Sequence, residues 1–488
     1  VTKPVLNADP EGSGSSVSTS PRASRRSATV DSGLSVESVI ASIPKFGPKD
    51  VRFANWLCFF AWVAAVYDFI LFANLLPVIG ADFGLTEAAT TGLNTWVTLG
   101  TAVVAYFLGR LVDRYGRRAG LIVAVAGAAL ASLLTATTHW IYGLFAGLGL
   151  VVLVLVRTVA GLGFAEMAVN ATYLNEVYAV AAQDEKAVRR RGFTYSLVQA
   201  GWPVGAMIAA FSINLLMPIG HWYLTFVVAA IPAIFIVWAA TKMKESPLWA
   251  AHQGIKNLVK AGRSDDAKAV ADHVGISMES AESSSPADLF RHGNARPFIF
   301  IFAGYLLQGV GVMVFQILAT SLMTSESGMN IDFTNAILIL IVSNVAAFLG
   351  YLGFGWLGDR IGRRLTISIG WILAGIVYGI MLMLPQGAFV PIVIAYAVGM
   401  CMMLGPFAPL MFFAGESFPS KIRATATSII TASGMIGNLI SGTVVTIMLT
   451  AGMTWISTAW YMGVIPLVLA GLFILGAPHV DPKVASKR

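Results

Sequence analysis

The chain is short of charge. Asp, Glu, Lys and Arg make up 12% of its 488 residues, about half the share a soluble globular protein carries, so water is not the main solvent of its surface. Cysteine is almost missing: Cys58 and Cys401 are the only two, both inside apolar runs, which excludes a disulfide framework or a thiolate metal site. No Cys/His cluster, phosphate-cradling Gly-rich loop ending in Lys-Ser/Thr, or Gly-x-Ser-x-Gly elbow occurs. Neither nucleotide hydrolysis nor covalent catalysis therefore has a motif to rest on, and an enzyme, a metal or an organic cofactor is not expected. Residues 1–50 lack any apolar run long enough for a cleaved signal peptide and, rich in Ser, Gly, Pro and Arg, read as a disordered tail.

Apolar residues are what the chain has instead, 57% of the total, with a mean hydropathy of +0.75. Counting apolar runs of about 20 residues places helices near 53–80, 90–109, 119–138, 146–174, 193–216 and 222–241, then near 297–323, 334–356, 365–384, 388–414, 424–450 and 455–477. The runs are long and unbroken, without the strict alternation of a barrel strand, so helices are expected. The expected fold is an all-α membrane protein of twelve transmembrane helices in two pseudo-symmetric six-helix bundles. The first bundle takes 51–241 and the second 297–478, joined by a central loop at 242–296 and followed by a tail at 479–488.

Charge placement orients the chain. With the N-terminus cytoplasmic, every one of the 32 Lys and Arg falls on the cytoplasmic side except Arg157, while the outer loops carry Asp82, Glu87, Glu326 and Asp332. That is the positive-inside pattern, and it gives a multi-pass protein of the plasma (inner) membrane with both termini inside. The formal charge of +7 then reflects topology and calls for no nucleic-acid partner. A soluble helical protein would scatter its basic residues.

The two halves repeat. The turn GRLVDRYGRR at 109–118 returns 246 residues later (359 against 113) as GWLGDRIGRR at 355–364. The fourth helix ends in Glu176 with Arg191 beyond it, and the tenth ends in Glu416 with Arg423 beyond it. Two similar halves that each cross a membrane are the usual plan of a secondary transporter.

These residues resemble the major facilitator superfamily. Its signature turn is matched by Gly109, Leu111, Asp113, Arg114, Gly116, Arg117 and Arg118, and again by Gly355, Leu357, Asp359, Arg360, Gly362, Arg363 and Arg364. The fourth-helix pattern is matched by Arg157, Gly161 and Gly163, and the closing pattern by Glu416, Pro419 and Arg423. Within the superfamily the ESPLW segment and the NAT at 170–172 resemble the metabolite:proton symporters, carriers of aromatic acids, sialate and other organic acids, although Phe164 and Ala165 stand where that branch has paired glycines. The resemblance implies alternating access driven by a proton gradient. It also assigns Asp113, Arg114, Arg117, Arg118, Glu176, Arg191, Asp359, Arg360, Arg363, Arg364, Glu416 and Arg423 to a cytoplasmic gate that closes and opens. In it Asp113 would attract the positive end of a neighbouring helix, and Arg117 and Arg118 would bond Glu176 or helix-end carbonyls.

Three charged residues fall inside the expected helices. Asp68 and Arg157 each lie about 11 residues from the outer end of their helix, hence at similar depth, and a lone charge there costs about 2.5–3.5 kcal/mol on insertion scales. They are natural partners: Asp68 would carry the proton, and its uptake would free Arg157 to hold a substrate carboxylate, unless Arg157 only packs helices. Glu166, nine residues on from Arg157, is a second candidate proton site or a carboxylate facing a wet cavity beside Asn170, Tyr173 and Asn175. Tyr195, Gln199 and Trp202 share one face of helix five, and Tyr305, Gln308 and Gln316 fall roughly on one face of helix seven. With Asn344 and Asn438 they would line the pocket or bond between helices. The expected activity is proton-coupled uptake of a small organic anion by a monomer in the lipid bilayer. The alternatives are a proton-driven exporter of lipophilic compounds, of which GWPVG at 201–205 is a partial echo, a symporter of a neutral polyol or zwitterionic osmolyte, and a sensor without transport.

Overall fold

The computed structural model describes residues 35–181, 197–274, 286–291, 293–418 and 420–479. Among them are twelve helices long and apolar enough to cross a membrane: α1 Pro48–Asp82, α2 Glu87–Tyr115, α3 Arg117–Leu144, α4 Ala146–Tyr178, α5 Leu197–Leu216, α6 Trp222–Ala240, α7 Ala295–Ile317, α8 Phe333–Ile361, α9 Arg363–Leu382, α10 Phe389–Glu416, α11 Thr425–Thr450 and α12 Trp455–Gly476. The order and number match the apolar runs. Several helices extend past their runs, because Thr86 and Asp332 cap α2 and α8 with side-chain oxygens and Pro48 opens α1 at its first turn, a position where the missing proline N–H costs nothing.

Two elements depart from expectation. The tail is helical at Val36–Ser42, where Ser35 caps the helix and Val39 is buried against Leu258 and Val270; Val36, Val39 and Ile40 make an i, i+3, i+4 apolar stripe that the compositional reading of a disordered 1–50 passed over. The central segment likewise folds into helices at Pro247–Lys260 and Ser264–Val274. Trp249 donates its indole N–H to the Asp113 carbonyl at 3.1 Å.

The buried side chains form three main cores, and their arrangement positions the site. At the end holding the basic turns each bundle has its own core, around Leu57, Leu121 and Val177 in one and Ile301, Trp371 and Ile430 in the other. Toward the opposite end a single core joins both bundles, with Leu71 and Leu75 of α1 in the same cluster as Val314 of α7 and Leu322 of the short helix Ala319–Thr324 that follows it. Thr320 donates to the Ala73 carbonyl at 3.2 Å across that junction. The bundles are thus packed together at the end away from the basic turns.

Candidate functional site

The sharp basic turns come first, because their backbone aims the gate residues. Gly116 and Gly362 have φ of 99° and 91°, values an L side chain rarely adopts, and each lets one helix stop and the next start at once. The two turns then make the same contacts. Arg117 grips Glu176 with Nη2–Oε1 at 2.8 Å and Nε–Oε2 at 3.1 Å, and Arg363 reaches Glu416 at 2.9 Å. Arg118 donates to the Thr241 carbonyl, just past the end of α6, and Arg364 to the Ala477 carbonyl, just past the end of α12, at 2.9 Å, where a helix presents its negative pole. Arg114 and Arg360 lie instead over the rings of Tyr115 and Trp356. Arg191 and Tyr195 lie outside the described residues, as does the Arg423 side chain.

One gate role passes to another residue. The Asp113 side chain is 79% exposed and pairs with Arg117, four residues on across the Gly116 turn. The start of α3 is capped by Glu245, which accepts from the Arg117 N–H at 2.8 Å and the Arg118 N–H at 3.2 Å. The chain leaving α6 brings Glu245 against Gly116 so closely that a Cβ there would collide with its carboxylate. The paired contacts also lie within one bundle each, Arg117–Glu176 in the first and Arg363–Glu416 in the second, and are formed although the two cores are separate at this end. They brace each bundle internally and do not join one bundle to the other. Removing Glu245 exposes several helix-end donors, a loss of about 1 kcal/mol for a cap. Glu245→Ala should therefore lower the thermal midpoint of the purified protein more than Asp113→Asn does, and the reverse order would return the capping role to Asp113.

Within the first bundle Asp68 and Arg157 meet as expected. Nη1 and Nη2 of Arg157 reach Oδ1 and Oδ2 of Asp68 at 3.2 and 3.1 Å, and Nη2 also bonds the Asp68 carbonyl at 3.2 Å. The side chains are 2% and 9% exposed, and the fork geometry suits a planar guanidinium. Ser132 of α3, which the sequence reading missed, donates to Asp68 Oδ1. The guanidinium carbon lies 4.8 Å from the Phe72 ring centre and 5.2 Å from that of Phe226. Arg157 is thus committed to first-bundle groups, and its contacts do not extend to the polar residues expected beside it in a substrate pocket.

Of those polar residues, Trp202 sits among aromatic rings. Trp62, Phe69, Phe164 and Trp202 form one group, with ring centres 4.9 to 6.4 Å apart. Trp62 and Phe69 are two turns apart on one face of α1, and Phe164 is the residue that replaces a glycine of the resembled pattern. The indole N–H groups of Trp62 and Trp202 are buried without a protein partner. In α7 a π turn at Met313–Ile317 holds Gln316, both ends of whose amide are unpartnered, as is the Gln308 amide nitrogen. Such turns are frequent at functional sites. Asn344 donates to the Leu340 carbonyl of its own helix at 2.8 Å, leaving its oxygen free of partners, and the Asn438 oxygen is similarly placed. Tyr305 packs edge-on to Phe407 at 5.6 Å and against Gly434 of α11, a packing role. Gln199 is half-buried one turn before Trp202. Glu166 is fully buried with both oxygens unpartnered, and Asn170, one turn on, donates to the Cys58 carbonyl at 3.0 Å. Around Glu166 this is a packed interior and not the wet cavity that Asn170, Tyr173 and Asn175 suggested: the Tyr173 hydroxyl bonds the Lys244 carbonyl at 2.9 Å, and of the three only Asn175 is exposed.

Among known proteins, the family described as "Sugar (and other) transporter" matches residues 57–478. A probable 4-methylmuconolactone transporter of Cupriavidus pinatubonensis is 26% identical over 386 residues, 78% of this chain and 80% of that protein. The niacin transporter NiaP of Acinetobacter baylyi is 23% identical over 422 residues, 81% of this chain and 87% of that one. In structure the chain is similar to a double-tryptophan mutant of XylE, a xylose transporter of E. coli, with a TM-score of 0.66 at 18% identity, over 91% of this chain and 99% of that one.

Proposed function

The chain belongs to the sugar (and other) transporter family of membrane transporters, and from that premise we propose that it takes up a small ring-bearing organic acid together with a proton. The single observation that carries the proton coupling is the Asp68–Arg157 pair, buried inside one bundle at a depth where charge is expensive. A proton arriving at Asp68 cancels one charge of the pair and loosens its grip on Arg157, and the first bundle can then rock against the second. We take the end with the basic turns as cytoplasmic, following the positive-inside pattern, so that the joined core closes the outer side and the separate cores face inward.

The substrate reading rests on the ring group and the unpartnered donors. Flat rings pack against Trp62, Phe69, Phe164 and Trp202 at the spacings aromatic pairs prefer. A carboxylate would take the N–H groups of Trp202, Gln308 and Gln316, which otherwise carry the penalty of buried unmade bonds. Arg157 stays with Asp68 and is not assigned to the substrate. Relatives whose names specify 4-methylmuconolactone and niacin fit such a pocket. A neutral polyol is the second reading, favoured because the unpartnered groups are amides and indoles.

A thermal-shift screen separates the two. Niacin, 4-methylmuconolactone and xylose are each added to the purified protein in excess; a ligand at about a hundred times its Kd stabilises by ~2.7 kcal/mol. One of the acids should raise the midpoint by several degrees and xylose should not. Stabilisation by xylose alone would replace the acid with the polyol.

A further inference from the structure

A groove of about 1020 Å³ opens on the molecule's flank, at the end away from the basic turns. Its walls are α2 and α4 of the first bundle and α11 of the second, so it lies across the seam between them. Gly92 of α2 lies in it against Thr446 of α11, where an added Cβ would stand 3.3 Å from the threonine methyl. Val97 turns the opposite face of α2 into the joined core. Trp96, Val151 and Leu155 along the groove are instead 66%, 55% and 60% exposed. The groove therefore faces the bilayer and not the interior between the bundles.

Its length and chemistry suit one kind of occupant. From Glu87 to Trp96 the lining follows α2 for nine residues (96 − 87), about 14 Å at the helical rise. Half of a hydrocarbon core is about 15 Å, so the groove is one leaflet deep. The lining threonines spend their hydroxyls on their own helix: Thr446 and Thr450 donate to the Gly442 and Thr446 carbonyls, each at 2.7 Å. Glu87 is the charged residue among those lining the groove, and it sits at the headgroup end. Its carboxylate makes no hydrogen bond or ion pair with another described residue. Burying a lipid tail here gains no hydrophobic energy, because neighbouring tails are as apolar as the groove. Selection then falls to the headgroup. A carboxylate favours a primary ammonium, which brings both a positive charge and N–H donors, over a trimethylammonium, which has no donor, and over an anionic headgroup. The loops at this end carry Asp82, Glu87, Glu326 and Asp332 and no Lys or Arg, which disfavours an anionic lipid further.

We propose that the groove seats one phosphatidylethanolamine molecule, its ammonium on Glu87 and one acyl chain laid past Gly92 to the level of Trp96. The lipid touches both bundles at once, at a site apart from the ring group and from the Asp68–Arg157 pair. The proposal does not depend on what the protein transports.

Native mass spectrometry of the purified protein tests it. Wild type, Glu87→Gln and Ala89→Phe are titrated in detergent with phosphatidylethanolamine, phosphatidylcholine and phosphatidylglycerol of identical chains. Wild type should hold one phosphatidylethanolamine about fivefold more tightly than either of the others, the scale of one partly exposed ion pair. Glu87→Gln keeps the shape and removes the charge, and should bring phosphatidylethanolamine down to the level of phosphatidylcholine. Ala89 is exposed on the lining, and phenylalanine there should block the groove and remove the bound lipid. Should that variant fail to fold, Glu87→Gln decides alone. A wild type that shows no preference for phosphatidylethanolamine, or a Glu87→Gln protein that keeps the full preference, overturns the proposal. A dimer that Ala89→Phe breaks would give the groove to a second copy of the chain and overturn it as well.

Discussion

Asp68→Asn should abolish accumulation of substrate against its gradient while leaving exchange of labelled for unlabelled substrate largely intact. Asparagine has the shape of a protonated carboxyl and cannot lose a proton, so the variant mimics the loaded carrier. It still accepts a bond from Ser132 or Arg157, both within reach of the native side chain. In proteoliposomes with an imposed pH gradient the accumulation ratio should fall to about one, and equilibrium exchange should stay within a few-fold of wild type. Persistent uphill uptake would move the proton site elsewhere, with Glu166 the next candidate.

The second large effect concerns Arg157. Removing it by Arg157→Gln leaves a buried carboxylate without its cation, a change that costs about 3–5 kcal/mol when one partner of a buried pair is lost. The double change Asp68→Asn with Arg157→Gln should recover most of that stability, since no unpaired charge is left behind, and a double-mutant cycle of thermal midpoints measures the difference. Arg157→Lys is the finer probe. It keeps the charge but loses the two-pronged bond to Asp68 and the flat contacts with Phe72 and Phe226. Coupled uptake should drop at least tenfold while substrate affinity stays within about twofold, because Arg157 contacts the first bundle and not the ring group. A tenfold loss of affinity would restore Arg157 as the anion-binding group.

Much of the fold was legible because lipid imposes simple rules. Twelve helices follow from twelve apolar runs, and the repeated turns predicted repeated contacts: Arg117 with Glu176 is answered by Arg363 with Glu416, and Arg118 at a helix end by Arg364 at another. The pairing of Asp68 with Arg157 was readable from depth alone, since two lone charges at one level have few other partners. What escaped was whatever depends on how the chain comes back on itself. Nothing in the spacing marks Glu245 as the cap of α3, because that depends on where the chain emerges after α6. Ser132 is one hydroxyl among several on an apolar helix, and only the rotation of α3 against α1 selects it. The ring group left a partial trace: Trp62 and Phe69 share a face at i, i+7, and Phe164 breaks a glycine pattern. The helical stretch at Val36–Ser42 was hidden by its polar surroundings, although its stripe of Val36, Val39 and Ile40 was there to be read.

Coupling itself is open to direct measurement. Proteoliposomes loaded with pyranine, with the membrane potential clamped, are given niacin or 4-methylmuconolactone, whichever raises the thermal midpoint, and the dye and the labelled acid are followed together. Uptake on a carboxylate carrier predicts internal acidification in step with entry of the acid, and none in Asp68→Asn liposomes. Entry of the acid into wild-type liposomes with no proton accompanying it would contradict the account.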